Sequence, residues 1–147
     1  MLSRGATTVW EQWAGDKATS GSASHNHPAL ASVDAWFYRA LAGIRPDPAG
    51  PGFKRSVIKP EIVGDLTWAK ASYDSIHGRI VSHWTRSGNA LTLNATVPPN
   101  TQARVFLPAT STDKVRESNE PLYQQPEIAV QPGPPGWLVL KVGSGDY

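Results

Sequence analysis

Apolar residues recur in two different rhythms along this chain. Between Pro28 and Ile44 they fall at Leu30, Val33, Trp36, Phe37, Ala40, Leu41 and Ile44. Steps of three and four put them on one stripe of a helix. Asn26 stands where a cap belongs, and Pro28 suits a first turn because its missing N–H would have no partner there. Gly43 and then Pro46 are stop signals. The spacing predicts one helix of about four turns. Its stripe needs something outside the second half of the chain to cover it.

Beyond Phe53 the period becomes two. Leu91, Leu93, Ala95 and Val97 alternate with Ala90, Thr92, Asn94 and Thr96. Ala103, Val105 and Leu107 continue the alternation, as do Leu138, Leu140 and Val142. Ser87-Gly88-Asn89 and Pro98-Pro99-Asn100-Thr101 supply turn chemistry between strands. Three more strands are expected over Val57–Pro60, Leu66–Tyr73 and Arg79–Thr85, with a turn at His77-Gly78. Short strands at intervals of roughly 8–12 residues argue for an antiparallel sandwich.

The segment from Ile44 to Gly52 is too rich in Pro and Gly for either rhythm. The fold class expected is mainly β: an antiparallel, jelly-roll-like β-sandwich preceded by one helix. Residues 1–45 form the helical part, 46–52 a stiff linker, and 53–147 the sandwich. A sandwich of about 95 residues is of usual size.

Composition narrows the function. Apolar residues make up 39% of the chain, enough for a modest core. The net charge is +2, and no basic cluster in the sequence exceeds the Lys54-Arg55 pair. The cationic surplus is spread thinly, which argues against nucleic acid as a partner. With no cysteine, disulfide frameworks, zinc ribbons and thiol catalysis are all excluded. No run approaches the ~18 apolar residues of a membrane span, so no membrane partner is expected. Met1–Ala6 lacks the apolar core of an export signal, and the expected location leans cytoplasmic.

The chemistry-bearing residues cluster near the start. Glu11 lies between Trp10 and Trp13, and Ser24-His25-Asn26-His27 follows closely. Indole faces stack on the apolar faces of a pyranose, and a carboxylate between them serves as acceptor or base. Desolvation by the two rings would tune it for proton transfer; as a plain alternative, Glu11 is a solvated acid or a cap. His27, at the mouth of the helix, either hydrogen-bonds a polar ligand or merely caps the helix or packs on Trp10. No metal is expected, because His25 and His27 lack a third ligand at usable spacing, and no cofactor motif is present. Trp36 and Phe37 are expected in the core, and burial is expected for Trp68 and Trp84. Glycosidic hydrolysis takes two carboxyl groups, and Glu61, Asp65 and Asp74 lie beyond the linker. Glu11 is therefore expected to lack its partner.

Several motifs together resemble the last part of bacterial α-L-rhamnosidases. They are Gly5-Ala6-Thr7-Thr8-Val9-Trp10-Glu11-Gln12-Trp13, Ser24-His25-Asn26-His27, and the helix Ser32-Val33-Asp34-Ala35-Trp36-Phe37-Tyr38-Arg39. Gly43-Ile44-Arg45-Pro46, Pro51-Gly52-Phe53-Lys54-Arg55, Tyr73-Asp74-Ser75-Ile76-His77-Gly78 and Val142-Gly143-Ser144-Gly145 extend the resemblance over essentially the whole chain. It implies that residues 1 to about 45 are the final loop and helix of an (α/α)6 barrel and that the rest is a C-terminal sandwich. It further implies inverting hydrolysis of terminal α-L-rhamnosyl groups. Glu11 matches the general base, His27 a histidine near the sugar or the attacking water, and Trp10 and Trp13 the pocket wall. The general acid of that family lies upstream, and Met1 matches an internal position of its pattern. The chain is thus expected to be a C-terminal fragment, inactive without the upstream barrel. Its partners would be that barrel and a rhamnosylated glycan or glycoside. The competing readings are a carbohydrate-binding module that uses Trp68 or Trp84 and a structural sandwich that buttresses a barrel.

Overall fold

The computed structural model describes residues 1–14 and 23–147. The chain divides into two compact units, Met1–Trp36 and Phe37–Tyr147. The described residues of the first contain a 3-10 turn at Leu2–Arg4 and two short helices, α1 (Pro28–Ala31) and α2 (Val33–Trp36). Pro28 occupies the first turn as the sequence predicts. The N-cap, however, is His27 rather than Asn26, and its side chain makes no capping bond. Ser32 separates α1 from α2, its hydroxyl donating back to the Ala29 carbonyl at 2.7 Å. Such back-bonding competes with the helical ladder and bends it.

The second unit opens with a π-helical turn, Phe37–Leu41. The helical segment therefore stops at Leu41, and Ile44, expected to be its last apolar position, belongs to a strand. Trp36 and Phe37, expected in the core, are about half exposed. Phe37 lies on the π-turn, where it borders an open groove beside Trp68.

Eleven strands are found among the described residues. They are β1 (Ile44–Pro46), β2 (Arg55–Ile58), β3 (Trp68–Ser75), β4 (Gly78–Ser87), β5 (Ala90–Val97), β6 (Gln102–Leu107), β7 (Arg116–Glu117), β8 (Glu120–Pro121), β9 (Ala129–Gln131), β10 (Leu138–Val142) and β11 (Gly145–Asp146). A five-stranded sheet runs β1-β2-β6-β10-β9 and a four-stranded sheet β11-β5-β4-β3. β7 and β8 form a separate hairpin. All neighbours are antiparallel except β2 and β6, which run parallel. The chain is mainly β and built of antiparallel sheets, as expected.

The two sheets share one core. Ile44, Ile58, Ala103, Val105, Leu140 and Val142 come from the larger sheet and Ile80, Ala95 and Val97 from the smaller. Of these, Ala95, Val97, Ala103, Val105, Leu140 and Val142 are positions that the period-two pattern selects. Register decides the two strand tryptophans. Ala69 and Ala71 of β3 lie opposite Trp84 and Ser82 of β4, so the small residues share the inward face with the large one. Trp84 is 0% exposed. Trp68, one residue out of phase with that face, is 62% exposed, contrary to the burial expected of it. A single-residue step moves a side chain to the opposite face.

The junction of helical turn and sandwich is tied carbonyl by carbonyl. Glu61 N–H donates to Ala40 O at 2.9 Å, and Lys59 N–H to Gly43 O at 3.0 Å. The buried Trp84 indole donates Nε1–H to Leu41 O at 2.7 Å. Ser82, also buried, donates its hydroxyl to Ala42 O at 2.6 Å. Gly43 has φ 76°, and a Cβ there would lie 2.1 Å from the Lys59 carbonyl carbon. No other residue fits that close approach in a left-handed conformation. On the far side of β1, Asp47 closes the turn into β2. Its carboxylate accepts the Ala49 N–H at 3.0 Å and Arg104 Nε–H at 2.8 Å. The Ala49 amide first, and Arg104 after it, hold the Asp47 carboxyl below its ordinary value against the opposing effect of burial.

Two outcomes follow. Gly43→Ala should destabilise the second unit by at least about 3 kcal/mol in urea titration, because backbone strain and a clash with Lys59 act together. Asp47→Asn should cost about 1–3 kcal/mol at neutral pH. Because the folded-state carboxyl titrates lower, its stabilisation is full above the ordinary Asp value near 3.8 and is lost as pH falls through the folded value. The variant should therefore show a shallower loss of stability than the parent below pH ~4.

Candidate active-site loop

The first unit brings two sequence-distant stretches edge to edge. Glu11 N–H donates to Ser24 O, and His27 N–H to Val9 O, each at 2.8 Å. Ser24 N–H in turn donates to Glu11 Oε2 at 2.9 Å. The Thr8 hydroxyl donates to the His25 carbonyl, and Asn26 N–H to Ser24 Oγ at 3.1 Å. Residues 8–11 and 24–27 thus form a short ladder, and the Glu11 carboxylate is fixed as part of it. At the other end of the loop, Arg4 Nη1 donates to Ala14 O at 2.9 Å.

Glu11 and His27 meet on this ladder. His27 Nδ1 lies 3.9 Å from Glu11 Oε2. That is too long for a hydrogen bond; a small polar group placed beside both could touch each of them. The side chains are 33% and 43% exposed for His27 and Glu11, respectively, so both are open to a ligand.

The aromatic residues divide. Trp10 is half-buried and stacks on His25, with ring centroids 4.7 Å apart and planes at 18°. Its partner is thus His25, not His27. Trp13 is 75% exposed. The Glu11 side chain between them is 43% exposed. Thr8 and Ser24 stand in the sequence motifs, but no role is legible for them there. Both act on the backbone, which leaves no signal in residue type beyond the general fondness of Ser and Thr for such bonds.

The carboxylates weighed as second members lie in the other unit, each with its own surroundings. Glu61 pairs with Lys59 at 3.2 Å, Asp74 with Arg79 at 3.0 Å, and Asp65 lines a groove beside Trp68. Among the described residues, no three His, Asp or Glu side chains gather as a metal would require. No described helix is long and apolar enough to cross a membrane.

Glu11 and His27 thus share one hydrogen-bonded loop, on a chain whose larger part is a β-sandwich. Comparison with known proteins gives the family. The pattern described as the bacterial alpha-L-rhamnosidase C-terminal domain matches residues 43–121. The bacterial alpha-L-rhamnosidase 6 hairpin glycosidase domain matches residues 1–41. The chain belongs to the bacterial α-L-rhamnosidase family. An alpha-L-rhamnosidase of Streptomyces avermitilis is 34% identical over 99% of this chain and 14% of its own length. One from Formosa agariphila is 32% identical over 81% of this chain and 13% of its own. Among solved structures, the Streptomyces avermitilis enzyme complexed with L-rhamnose superposes with a TM-score of 0.75 at 33% identity, covering 99% of this chain and 14% of that one. The α-L-rhamnosidase from Dictyoglumus thermophilum gives a TM-score of 0.75 at 34% identity, covering 100% and 16%. The chain thus spans about one seventh of the length of the Streptomyces relative.

Removing the Thr8 hydroxyl isolates the ladder's contribution. In Thr8→Val, amide exchange at Glu11 and His27 should quicken by about five- to tenfold, as expected from losing roughly 1 kcal/mol of hydrogen bonding. Unchanged exchange at both amides would show that the ladder does not depend on Thr8.

Proposed function

We propose that Glu11 is the general base of an inverting glycosidase that releases terminal α-L-rhamnosyl groups. The observation that carries this reading is the fixed carboxylate: Oε2 is held by the Ser24 amide and stands 3.9 Å from His27 Nδ1. A water beside both groups would give its proton to Glu11 as its oxygen attacks the anomeric carbon. Attack comes from the face opposite the leaving group, so the configuration inverts. His27 positions that water or a sugar hydroxyl, and Trp10 and Trp13 form the pocket wall. Support comes from relatives whose names are alpha-L-rhamnosidase and from a solved relative complexed with L-rhamnose.

The reaction also needs an acid about 6.5–9.5 Å across the scissile bond from the base. In this reading the acid comes from the barrel that completes the catalytic centre, and this chain alone is inactive. Residues 1–45 then serve as the last loop and helix of that barrel, 46–52 as linker, and 53–147 as the sandwich.

A second reading has one observation in its favour. Trp68, 62% exposed, borders an open groove with Tyr38, Leu66, Thr67 and Lys70, which suits a glycan-stacking platform in a non-catalytic binding module. Trp84 cannot serve there, because its ring is buried and its Nε1–H is spent on Leu41. Rhamnose-dependent quenching of tryptophan fluorescence that Trp68→Ala abolishes would favour the module.

In an enzyme that joins this chain to its barrel, Glu11→Gln should lower kcat about 10²–10⁴-fold with little change in the melting profile. The 147-residue chain alone should release no rhamnose from an aryl α-L-rhamnoside. Full turnover by the Gln variant, or rhamnose release by the isolated chain, would overturn the proposal.

A further inference from the structure

The outer face of the five-stranded sheet gathers cations that the sequence keeps far apart. Lys141 of β10 lies directly opposite Arg104 of β6. On the other side of β6, Arg55 of β2 is in register with Gln102. Like charges directly opposite one another destabilise a sheet unless something offsets them. Asp47 offsets one of them, its buried carboxylate accepting Arg104 Nε–H at 2.8 Å. The same guanidinium lies over Phe106, with Cζ 5.7 Å from the ring centroid. Arg104 is thus oriented from two sides while its side chain stays 43% exposed.

Arg55, Arg104 and Lys141, together with Asp47, Gln102 and Gln131, line a cleft of about 340 Å³. Three cations against one carboxylate leave a positive surplus in the lining. Among the described residues, neither Arg55 nor Lys141 has a carboxylate oxygen within 4 Å, although the Arg55 charge also acts on Asp47 from a distance. The guanidinium forks suit the planar geometry of a carboxylate. The two side-chain amides both donate and accept, as a ring of hydroxyls requires, and the volume falls in the range of small-ligand pockets. A bare phosphate would meet the charge and accept from the amide N–H groups, but it carries no ring of hydroxyls to donate to the amide oxygens.

We propose that this cleft binds the carboxylate of an acidic sugar unit. Arg55, Arg104 and Lys141 take the charge, and Gln102 and Gln131 take the hydroxyls. That the hydroxylated part is a sugar rests on the glycoside reading above; the preference for an anion rests on the cleft alone. Titration calorimetry of the 147-residue chain at low ionic strength tests it, with D-glucuronate, D-glucose and inorganic phosphate as probes, since salt screens such exposed charges. Glucuronate should bind, glucose should give no heat, and phosphate should bind at least about tenfold more weakly. Lys141→Gln and Arg55→Gln should each weaken glucuronate about tenfold, the loss of one charge-assisted hydrogen bond. Arg55 is exposed and Lys141 half-buried at the cleft, and circular dichroism melts confirm that the variants fold. Silence with glucuronate, equal affinity for phosphate, or affinity unchanged in both variants would each overturn the proposal. The titration involves no turnover, so its failure leaves the Glu11 assignment standing, and failure of that assignment leaves the cleft standing.

Discussion

Four consecutive carbonyls, from Ala40 to Gly43, determine how the helical turn ends and the sandwich begins. The last carbonyls of a helix have no partner within it, and here Ala42 and Ile44 are buried, so water is not at hand to replace one. Two strand side chains and two backbone amides supply the donors instead. Each carbonyl left unsatisfied would cost about 1–3 kcal/mol. The arrangement also explains why the helix stops short of Ile44. Only a left-handed Gly43 reverses the chain closely enough for Lys59 to reach it, and that reversal sends Ile44 into β1 opposite Ile58. Ser82 and Trp84 are therefore chosen for their donors as much as for their volume.

The loop that bears Glu11 follows the same rule at its own scale. A carboxylate on a loop is useful for chemistry only if its direction is fixed. Ser24 N–H does this directly, and the backbone pairs Glu11–Ser24 and His27–Val9 hold the two stretches in step. Stacking of His25 on Trp10 closes one flank. Within the Ser-His-Asn-His run, Ser24 and His25 hold the loop, while His27 faces the carboxylate.

The period-two pattern made most of the sandwich legible, because inward and outward positions alternate wherever one face of a sheet is buried. β5, β6 and β10 begin and end within a residue of the pattern. The short strands β1, β7, β8, β9 and β11 escaped, since two or three residues carry no period. Trp68 and Trp84 look alike in sequence and differ in phase by the pairing of β3 with β4, which only the register reveals. The helix was legible as a stripe, yet its cap, its interruption at Ser32 and its π-turn ending depend on hydrogen bonds rather than on spacing. In the loop, Glu11 and His27 stood out by residue type, while the groups that orient them act through the backbone.

Charge was the least legible property, and the reason is topological. In sequence the cations are spread thinly, with Lys54-Arg55 as the densest pair. Parallel pairing of β2 with β6 and antiparallel pairing of β6 with β10 fold that spread into one patch on one face. Asp47 then becomes more than a turn residue. It closes the turn into β2 through Ala49 and offsets the crowding of Arg104 with Lys141. A lone aspartate between two prolines reads as loop punctuation. Its burial against a cationic face follows only from strand order, which no local pattern encodes.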